Sequence, residues 1–342
     1  KICKYSSVKN AVAFVNATSA LQIALKLIGT NNKTEIIVPT VTFVAPVNAI
    51  IYNSGSPIFM DVDKYFNIDL NKTLEFLDKK TKFKNGYTIN KKTGKKILAI
   101  IIVHVWGNAV FLDDIKKICK RKNIKIIEDA SESLGTKYKL GKFKNHMTGT
   151  VGDIGIYSFN GNKIITGGNG GVLVTNNSKI AKKAKYLSSQ AINNSDFYIH
   201  KKIGYNFRLS SLNAALCISQ LSNLNNFLKK KKSIYNEYKK KLINNLNFRL
   251  VEPPLYANNN HWMNVVIVRK GKLKSLIERM KKKRIQARAM WLPNHLQKPY
   301  RKYETYKISF ANYLKNTALC IPSSTNLSAL NINKVLSALK ND

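Results

Sequence analysis

The chain has 342 residues, 44% of them hydrophobic, and a formal net charge of +40 at pH 7. This length can bury a large core in one domain or in two unequal ones. The sequence contains no run of 18 apolar residues, so it predicts no transmembrane helix, and we expect no membrane partner. Lysine and arginine number 58 against 18 acidic residues. Because this excess is spread along the chain, it favours compositional drift of surface positions over nucleic-acid binding.

The cysteine pattern argues against disulfides and metal ligation. Cys3, Cys119, Cys217 and Cys320 are scattered, with neither CxxC spacing nor nearby histidine pairs. This pattern predicts no disulfide framework and no metal site. Isolated thiols suit a reducing compartment, so we expect the protein to be cytoplasmic.

From residue 11 to about residue 175, the apolar patterning alternates between the periods of helices and strands. The predicted elements, in chain order, are helix Ala17–Ile28, strand Glu35–Val38, helix Val44–Tyr52, strand Ile58–Val62, helix Asn71–Lys79, strand Lys96–Val105, helix Leu112–Lys122 and strand Ile124–Ile127. The polar segment Gly86–Lys95 is interpreted as a surface hairpin. Alternating strands and helices predict a mostly parallel central sheet between helices, an α/β fold. In such sheets the functional groups collect at the carboxyl ends of the strands.

The pattern changes after residue 150. Strands Ile154–Phe159 and Gly171–Thr175 are joined by a glycine-rich segment rather than by a crossover helix. The remaining predicted elements are helix Ser210–Leu221, helix Asn225–Leu246, strand Met263–Val268, helix Leu273–Lys283 and a last helix near Ile332–Leu339. We therefore expect a large α/β domain over residues 1–222 and a small C-terminal α+β domain over residues 223–342.

Two short motifs carry candidate anion-binding groups. Asn16-Ala17-Thr18-Ser19 precedes the first helix, where free N–H groups can bind a phosphate. An ordinary helix N-cap explains the same residues. In the segment Gly204–Arg208, Asn206 and Arg208 can bind a phosphate or a carboxylate, or can belong to a polar loop that enters a helix.

Two further residues carry candidate chemistry. Asp129 ends a buried strand, where a carboxylate can pair with a protonated pyridine nitrogen or can cap a helix. Lys163 follows a buried strand and precedes the glycine-rich turn. Desolvation there would make its amine nucleophilic towards an aldehyde. The alternative is that Lys163 is one surface lysine among many.

In their order and spacing, these motifs resemble the DegT/DnrJ/EryC1/StrS family of sugar aminotransferases, which depend on pyridoxal 5′-phosphate (PLP). The resemblance covers essentially the whole chain and is strongest to the branch acting on UDP-linked 4-keto-6-deoxy-hexosamines, of the legionaminic acid and bacillosamine type. It implies the fold type I architecture of PLP-dependent transferases, which is aspartate aminotransferase-like. The matching stretches are NATSALQIAL, EIIVPTVTFVAPVNAI, PIFMDVD, VHVWGNAVFLDDI, IIEDASESLGT, VGDIGIYSFNGNKIITGGNGGVLVTNN, GYNFRLSSLNAAL and QARAMWLPNHLQKPY.

The family implies a role for each matching residue. Lys163 would bind PLP as a Schiff base and would move the proton in catalysis. Asp129 would pair with the pyridine nitrogen. Phe43 would stack on the cofactor ring, and Glu132, where the family often has glutamine, would lie near the ring hydroxyl.

The implied phosphate contacts come from three segments. Ala17, Thr18 and Ser158 would bind the phosphate from the same chain, and Asn206 would reach it from the neighbouring subunit, so the resemblance implies a homodimer with shared active sites. Ala17 stands where the family has glycine, and the exchange costs little only where the backbone is helical. Lys1–Asn10 resembles the end of the family's first helix, so we expect roughly 40 preceding residues of a typical family domain to be absent from this sequence.

The implied reaction moves an amino group from L-glutamate to a 4-keto-6-deoxy sugar linked to UDP, or to GDP or dTDP, in polysaccharide biosynthesis. The positive field of the chain would attract such an anion. Asn160, His295 and Tyr300 are predicted to border the sugar, although each is also explained as an ordinary loop residue. The sequence leaves open whether C3 or C4 receives the amine.

Two alternative functions stand beside this one. One is a PLP-fold sugar dehydratase; those relatives replace the lysine with histidine, so Lys163 argues against it. The other is a non-catalytic, regulatory family member that binds nucleic acid, which the net charge alone suggests.

Overall fold

The computed structural model describes residues 1–340, apart from residues 195, 244 and 270. The helices are α1 (Ile2–Ser6), α2 (Ala17–Leu27), α3 (Ala45–Tyr52), α4 (Leu70–Lys79), α5 (Asp113–Arg121), α6 (Ser178–Ser188), α7 (Ser211–Ser222), α8 (Leu224–Leu242), α9 (Leu273–Lys282), α10 (Phe310–Leu314) and α11 (Ala329–Lys340). The strands are β1 (Asn10–Phe14), β2 (Thr34–Pro39), β3 (Ser56–Met60), β4 (Thr81–Lys84), β5 (Tyr87–Asn90), β6 (Lys96–Val103), β7 (Lys125–Asp129), β8 (Lys137–Tyr138), β9 (Ile154–Ser158), β10 (Gly171–Thr175), β11 (Ile192–Asn194), β12 (Ile199–His200), β13 (Phe248–Leu250), β14 (Ala257–Asn258), β15 (Asn264–Val268), β16 (Arg288–Ala289), β17 (Glu304–Tyr306) and β18 (Ala318–Ile321).

Ten strands of the described residues form the main sheet, in the order β1-β10-β9-β7-β6-β2-β3-β17 with the hairpin β4–β5 attached to β6. The run from β9 to β17 is parallel, whereas β10 and β1 add antiparallel strands at one edge. The predicted mostly parallel sheet between helices is therefore confirmed.

Strand β6 shows why both faces of this sheet are covered. Ala99, Ile101 and Val103 point into one apolar cluster, which also holds the buried faces of α2 and α3. Ile100 and Ile102 point into the opposite cluster, with α4 and α5. Successive side chains of a strand point to opposite faces, so a strand that is buried on both faces needs an apolar residue at every position. This requirement explains the continuous Ile/Val run of the sequence.

The C-terminal part builds a second, smaller layer. Strands β13, β15, β18 and β16 form an antiparallel sheet. Helices α8, α9 and α11 pack against it in a separate apolar cluster. Strand β17 lies outside this layer and pairs with β3 of the main sheet. The division at residue 222 stays a prediction, and β17 belongs by its pairing to the large sheet.

Several segments differ from the prediction, and helices α6 and α10 and strands β13, β17 and β18 are among the elements that were not predicted. Strand β1 was not predicted, although its positions alternate between exposed (Ala11, Ala13) and less exposed (Asn10, Val12, Phe14) at the edge of the sheet. The hairpin near Gly86–Lys95 begins earlier, because Asn85 and Gly86 form its turn with φ angles of 50° and 76°. Helix α8 ends at Leu242, four residues before the predicted end at Leu246. In the described part of the chain, no helix is both long enough and apolar enough to span a membrane.

A buried carboxylate connects the C-terminal part to the large sheet. Asp61 follows β3 and has no exposed side-chain surface. It accepts a hydrogen bond from Lys72 Nζ at 2.5 Å and from the backbone N–H groups of Ser309, Phe310 and Ala311, each at 2.9 Å. Burial alone would raise the pKa of Asp61, but these partners lower it to about 2. Asp61 therefore caps α10 while it is charged.

We expect Asp61→Asn to destabilise the protein by about 3 kcal/mol at pH 7, because the charge that pairs with Lys72 is lost. A carboxylate with a depressed pKa stabilises the fold above its ordinary pKa of 3.8, and this contribution is lost as the pH falls through about 2. The difference between wild type and variant should therefore shrink between pH 4 and pH 2. Urea unfolding over that range measures it.

The matched control is Asp78→Asn, which removes an exposed carboxylate from α4. It should leave the unfolding midpoint close to that of the wild type at every pH. An Asp61→Asn variant as stable as the wild type at pH 7 would contradict the capping role.

Candidate active site

The site forms where three parallel strands end side by side. Val103 of β6 pairs with Asp129 of β7, and Asp129 pairs with Ile156 of β9. The carboxyl ends of these strands therefore lie on one edge of the sheet. The loops that leave this edge carry Trp106, Glu132 and Lys163, so residues far apart in sequence meet here.

Lys163 lies in the turn after β9, where its N–H donates to the Asn160 carbonyl at 3.0 Å. Its side chain is only 14% exposed, and Nζ is 3.5 Å from Glu132 Oε1. Nζ also lies over the ring of Trp262, 4.1 Å from the centroid. The amine is thus withdrawn from bulk solvent and placed between a carboxylate and an aromatic face.

Asp129 is buried at the end of β7. Burial raises the pKa of its carboxyl group, and Ser131 and the charge of Lys163 partly oppose that effect. One carboxylate oxygen accepts from the Ser131 N–H at 3.1 Å. A buried acid that is coupled to a nearby amine is a common feature of catalytic sites, where charge partners are arranged to perturb pKa values.

Glu132 is the second buried acid beside Lys163. Burial raises the pKa of Glu132, against the opposing charge of Lys163 and a hydrogen bond from the Trp106 N–H. That bond is 2.8 Å long. Trp106 adopts a φ of 54°, a left-handed conformation that is costly for a bulky residue and that aims its N–H at the carboxylate.

Below these groups, His104 and Glu128 form a closed buried pair. His104 Nδ1 accepts from the Val110 N–H at 3.1 Å, so the ring proton is on Nε2, which donates to Glu128 at 2.9 Å. Glu128 also accepts from the N–H groups of Gly149, Val151 and Gly152. Burial acts to raise the pKa of Glu128, but His104 and these N–H groups lower it. Both ring nitrogens of His104 are occupied, so it supports the sheet edge and is not a free base.

The segments predicted to bind a phosphate meet at Gly171. Gly171 pairs with Ser158 across the β9–β10 ladder, and a Cβ on Gly171 would lie 2.5 Å from the Ala17 nitrogen. The N-terminus of α2 and the end of β9 therefore approach each other through a position that only glycine can fill. Asn16 caps α2 by accepting from the Ser19 N–H at 2.8 Å. Ala17 is the first helical residue, so alanine is compatible with the local backbone.

Thr18 follows in the first turn of α2, where N–H groups point out of the helix and favour an anion. Asn206 lies on the exposed segment before α7, and Arg208 beside it is exposed too. The Phe207 carbonyl between them accepts from the Val15 N–H at 2.8 Å. This segment therefore runs close to the start of α2 while it leaves the Asn206 side chain at the surface.

The mouth of the site is aromatic. The Phe43 side chain is 55% exposed and meets Trp291 edge-on, with ring centroids 6.3 Å apart. Trp291 in turn lies 5.4 Å from Trp106. The C-terminal segment is held here by Asn294, whose Nδ2 donates to the carbonyls of Thr40 and Thr42.

The three residues predicted to border the sugar differ in their surroundings. Asn160 is exposed in the turn that carries Lys163. His295 Nδ1 lies 2.7 Å from Thr40 Oγ1. The Tyr300 side chain is buried and its hydroxyl donates to Asn48 Oδ1. The Asn160 side chain donates to Asn162 Oδ1 at 3.4 Å, so what distinguishes Asn160 from the buried Tyr300 is its exposure.

Sequence reasoning missed two residues of the site. Trp262 contacts Lys163, and Asn260 Nδ2 donates to the backbone carbonyl of Glu132 at 2.9 Å. Both lie in the segment before β15. The available signal was a tryptophan directly after a run of polar residues, Asn258–His261, at the entry to a buried strand.

The donor set fits PLP. A shielded amine suits its aldehyde, a buried acid suits its ring nitrogen, and a helix N-terminus beside a glycine suits its phosphate. Phe43 offers an aromatic face at the entrance. The residues thus supply a partner for each reactive part of this cofactor.

Comparison with known proteins gives the same result. The profile of the DegT/DnrJ/EryC1/StrS aminotransferase family matches residues 1–340. The chain is 30% identical to GDP-perosamine synthase of Caulobacter vibrioides, over 98% of this chain and 86% of that protein. It is 32% identical to the UDP-4-amino-4,6-dideoxy-N-acetyl-beta-L-altrosamine transaminase of Campylobacter jejuni, over 78% of this chain and 66% of that protein.

A solved structure agrees with the fold. The aminotransferase PseC of Helicobacter pylori, involved in pseudaminic acid biosynthesis, superimposes with a TM-score of 0.87 at 27% identity, covering 99% of this chain and 88% of that one. The predicted PLP fold type I is confirmed, as are the predicted cofactor and enzyme class. This chain belongs to the DegT/DnrJ/EryC1/StrS aminotransferase family and is a PLP-dependent aminotransferase.

Proposed function

We propose that this enzyme transfers an amino group from L-glutamate to a nucleotide-linked 4-keto-6-deoxy sugar. The observation that carries the proposal is the Lys163 amine, held 3.5 Å from Glu132 at the edge of a parallel sheet where the buried Asp129 ends β7. Two relatives, a GDP-perosamine synthase and a UDP-linked sugar transaminase, support the class of acceptor. A UDP-linked sugar is our first choice, with GDP- and dTDP-linked sugars as alternatives.

Lys163 is the proposed catalytic residue. Its amine would bind the cofactor covalently at rest and, once released by the amino donor, would carry the proton between the substrate carbon and the cofactor. The bound cofactor supplies the electron sink for this chemistry. Glu132 Oε1 lies 3.5 Å from the Lys163 amine, so the carboxylate can hold the amine in position.

The other proposed contacts follow the shape of the site. Asp129 would pair with the protonated ring nitrogen, which compensates its buried charge. Phe43 would cover the ring at the entrance. Ala17, Thr18 and Ser158 would bind the phosphate where α2 and β9 approach each other.

For the sugar, we propose that Asn160 and His295 contact the acceptor and that Tyr300 shapes the wall behind it. Asn160 is exposed beside Lys163, which favours a direct contact. Burial lowers the pKa of His295, so a neutral ring would face the ligand at pH 7. Tyr300 acts through Asn48, because its hydroxyl already donates there.

We further propose a homodimer in which Asn206 reaches the phosphate of the partner's site. Exposed apolar side chains support this arrangement. Ile203 is 85% exposed and Leu212 of α7 is 82% exposed, on both sides of Asn206. Monomeric proteins rarely leave contiguous apolar surface uncovered, and a second copy would bury it.

The proposed cellular setting is the cytoplasm, where the amino sugar would be made for a surface polysaccharide. The four cysteines, Cys3, Cys119, Cys217 and Cys320, are free thiols, which suits a reducing compartment.

The first test concerns Lys163. Treating the PLP-loaded enzyme with borohydride should fix the cofactor to the peptide that contains Lys163, detectable by mass spectrometry, because only a covalently linked cofactor is trapped. Lys163→Ala should lose both the adduct and the activity. Lys182→Ala, an exposed lysine of α6, is the control and should behave as the wild type. An adduct at wild-type level in Lys163→Ala would refute the assignment.

The second test concerns the substrate. Wild-type enzyme, PLP and L-glutamate are mixed with a panel of UDP-, GDP- and dTDP-4-keto-6-deoxy sugars, and the products are analysed by mass spectrometry and NMR. We expect one nucleotide class to give an amine in place of the ketone, with 2-oxoglutarate formed in equal amount. Lys163→Ala is the blank. Conversion of no sugar in the panel would exclude this acceptor class.

The third test concerns the shared site. Lys163→Ala and Asn206→Asp should each be inactive alone, the second because a carboxylate repels the phosphate. Random mixing of the two chains should restore roughly a quarter of wild-type activity, since half the dimers would be mixed and each would hold one intact site. Mixing Lys163→Ala with Asp129→Asn should restore none, because both residues belong to one chain's site. No recovery in the first mixture would place Asn206 in its own chain's site or outside it.

A further inference from the structure

Trp262, which lies in the C-terminal part of the chain, contacts the Lys163 amine. It is buried directly before β15, and its ring centroid is 4.1 Å from Lys163 Nζ. Glu132 Oε1 lies 3.5 Å from the same nitrogen. A cation over the face of tryptophan is attracted by the ring quadrupole, and more strongly when water is excluded. The amine therefore has two partners of different chemistry.

Each polar group of Trp262 has its own hydrogen bond. The indole Nε1–H donates to the Asn162 carbonyl at 2.8 Å, one residue before Lys163. The backbone N–H donates to Asn260 Oδ1 at 3.0 Å, and the backbone carbonyl accepts from Lys231 Nζ at 2.9 Å. The ring is buried and held by its own N–H, and the backbone that carries it is held by two further bonds, so the ring face is a fixed surface for the amine.

The same anchors set the distance between the two partners of Lys163. Asn260 Nδ2 donates to the Glu132 carbonyl at 2.9 Å, while its Oδ1 holds Trp262. Lys231 is buried and also donates to the Ser323 carbonyl, which ties α8 to the segment after β18. The C-terminal part thus fixes Trp262 relative to a loop of the large sheet.

We propose that Trp262 is a positioning residue that holds the Lys163 amine at the cofactor site whenever that amine has no covalent bond to the cofactor. This inference rests on the proposed role of Lys163. A free lysine side chain has many rotamers, and each half-reaction requires the same amine to leave the cofactor and return. Trp262 and Glu132 restrict it to positions from which it can act.

The test follows the capture of PLP by the full-length protein after its cofactor has been removed by dialysis with an amino donor. In this step Lys163 Nζ bonds to the aldehyde carbon, and the aldehyde oxygen leaves as water. The visible absorbance band reports the rate, and borohydride trapping with peptide mass spectrometry reports the residue. Trp262→Leu should slow capture about tenfold, since it removes the aromatic face.

Trp262→Phe is the matched variant, because it keeps an aromatic face but lacks the indole N–H. It should capture PLP within about threefold of the wild-type rate. Trp291→Leu, at the mouth of the site, controls for general loss of aromatic packing and should affect capture less than Trp262→Leu. Equal slowing in Trp262→Phe and Trp262→Leu would overturn the proposal, since the ring face would then not be what positions the amine.

Fluorinated tryptophans keep the proposal testable if Trp262→Leu fails to fold. Successive fluorine atoms weaken the negative face of the ring without changing its shape much, so capture should slow stepwise in the wild-type sequence. In Trp262→Phe, the same fluorinated tryptophans replace only Trp106 and Trp291. The rate of PLP capture should therefore not change along the series in that variant. A flat series in both proteins would overturn the role of Trp262.

These outcomes separate the two proposals. If the wild type takes up no PLP at Lys163, the proposed function fails. If the wild type is labelled at Lys163 and Trp262→Leu is labelled at the same rate, the function stands and only the positioning role is lost.

Discussion

The site depends on one lysine amine placed among buried acids. Asp129 and Glu132 lie in a region where burial raises the pKa of both carboxyl groups, and the positive charge of Lys163 acts on each of them. Charges with little access to water are tolerated only when they are paired, so the three groups depend on one another. The parallel sheet makes this possible, because β7 and β9 end at the same edge and deliver the acid and the amine from the same side.

The acidic residues of this chain are used very selectively. Lysine and arginine outnumber aspartate and glutamate by 58 to 18, yet several of the few acids are buried with specific partners. Asp61 caps α10, Glu128 holds His104, and Glu132 accepts from Trp106. A surface residue can drift towards lysine at little cost, whereas loss of a buried carboxylate leaves its donors unsatisfied. The net charge therefore describes the surface, and the chemistry lies with the few buried acids.

The C-terminal part contributes to the site as well as to the fold. Asn294 holds the loop after β2, Trp262 covers the amine, and β17 extends the main sheet. Asp61 joins the two parts through α10. A change in the packing of the C-terminal part would therefore move groups that touch Lys163, even though the reactive residues lie on the large sheet.

The sequence by itself determined the fold class, and its resemblance to the family singled out the residues proposed for the site. The Ile/Val run of β6 predicts a strand buried on both faces, and the positions of Asp129 and Lys163 after buried strands predict their meeting at the sheet edge. These features depend on local periodicity and on the geometry of parallel strands, so they can be derived from neighbouring residues. The edge strand β1 was missed because its alternation is short and its partner, β10, lies more than 150 residues away.

Only the tertiary structure decided which distant side chains complete the site. Trp262, Asn260 and Lys231 carry no local pattern that connects them to Lys163. The hydrogen bond from Lys231 to Trp262 spans 31 residues of sequence, and the bond from Asn260 to Glu132 spans 128. Likewise, only the helical backbone at Ala17 shows that alanine is compatible with this position. Hydrogen bonds and ring contacts of this kind depend on the relative placement of packed elements, which is a property of the whole fold and not of any one segment.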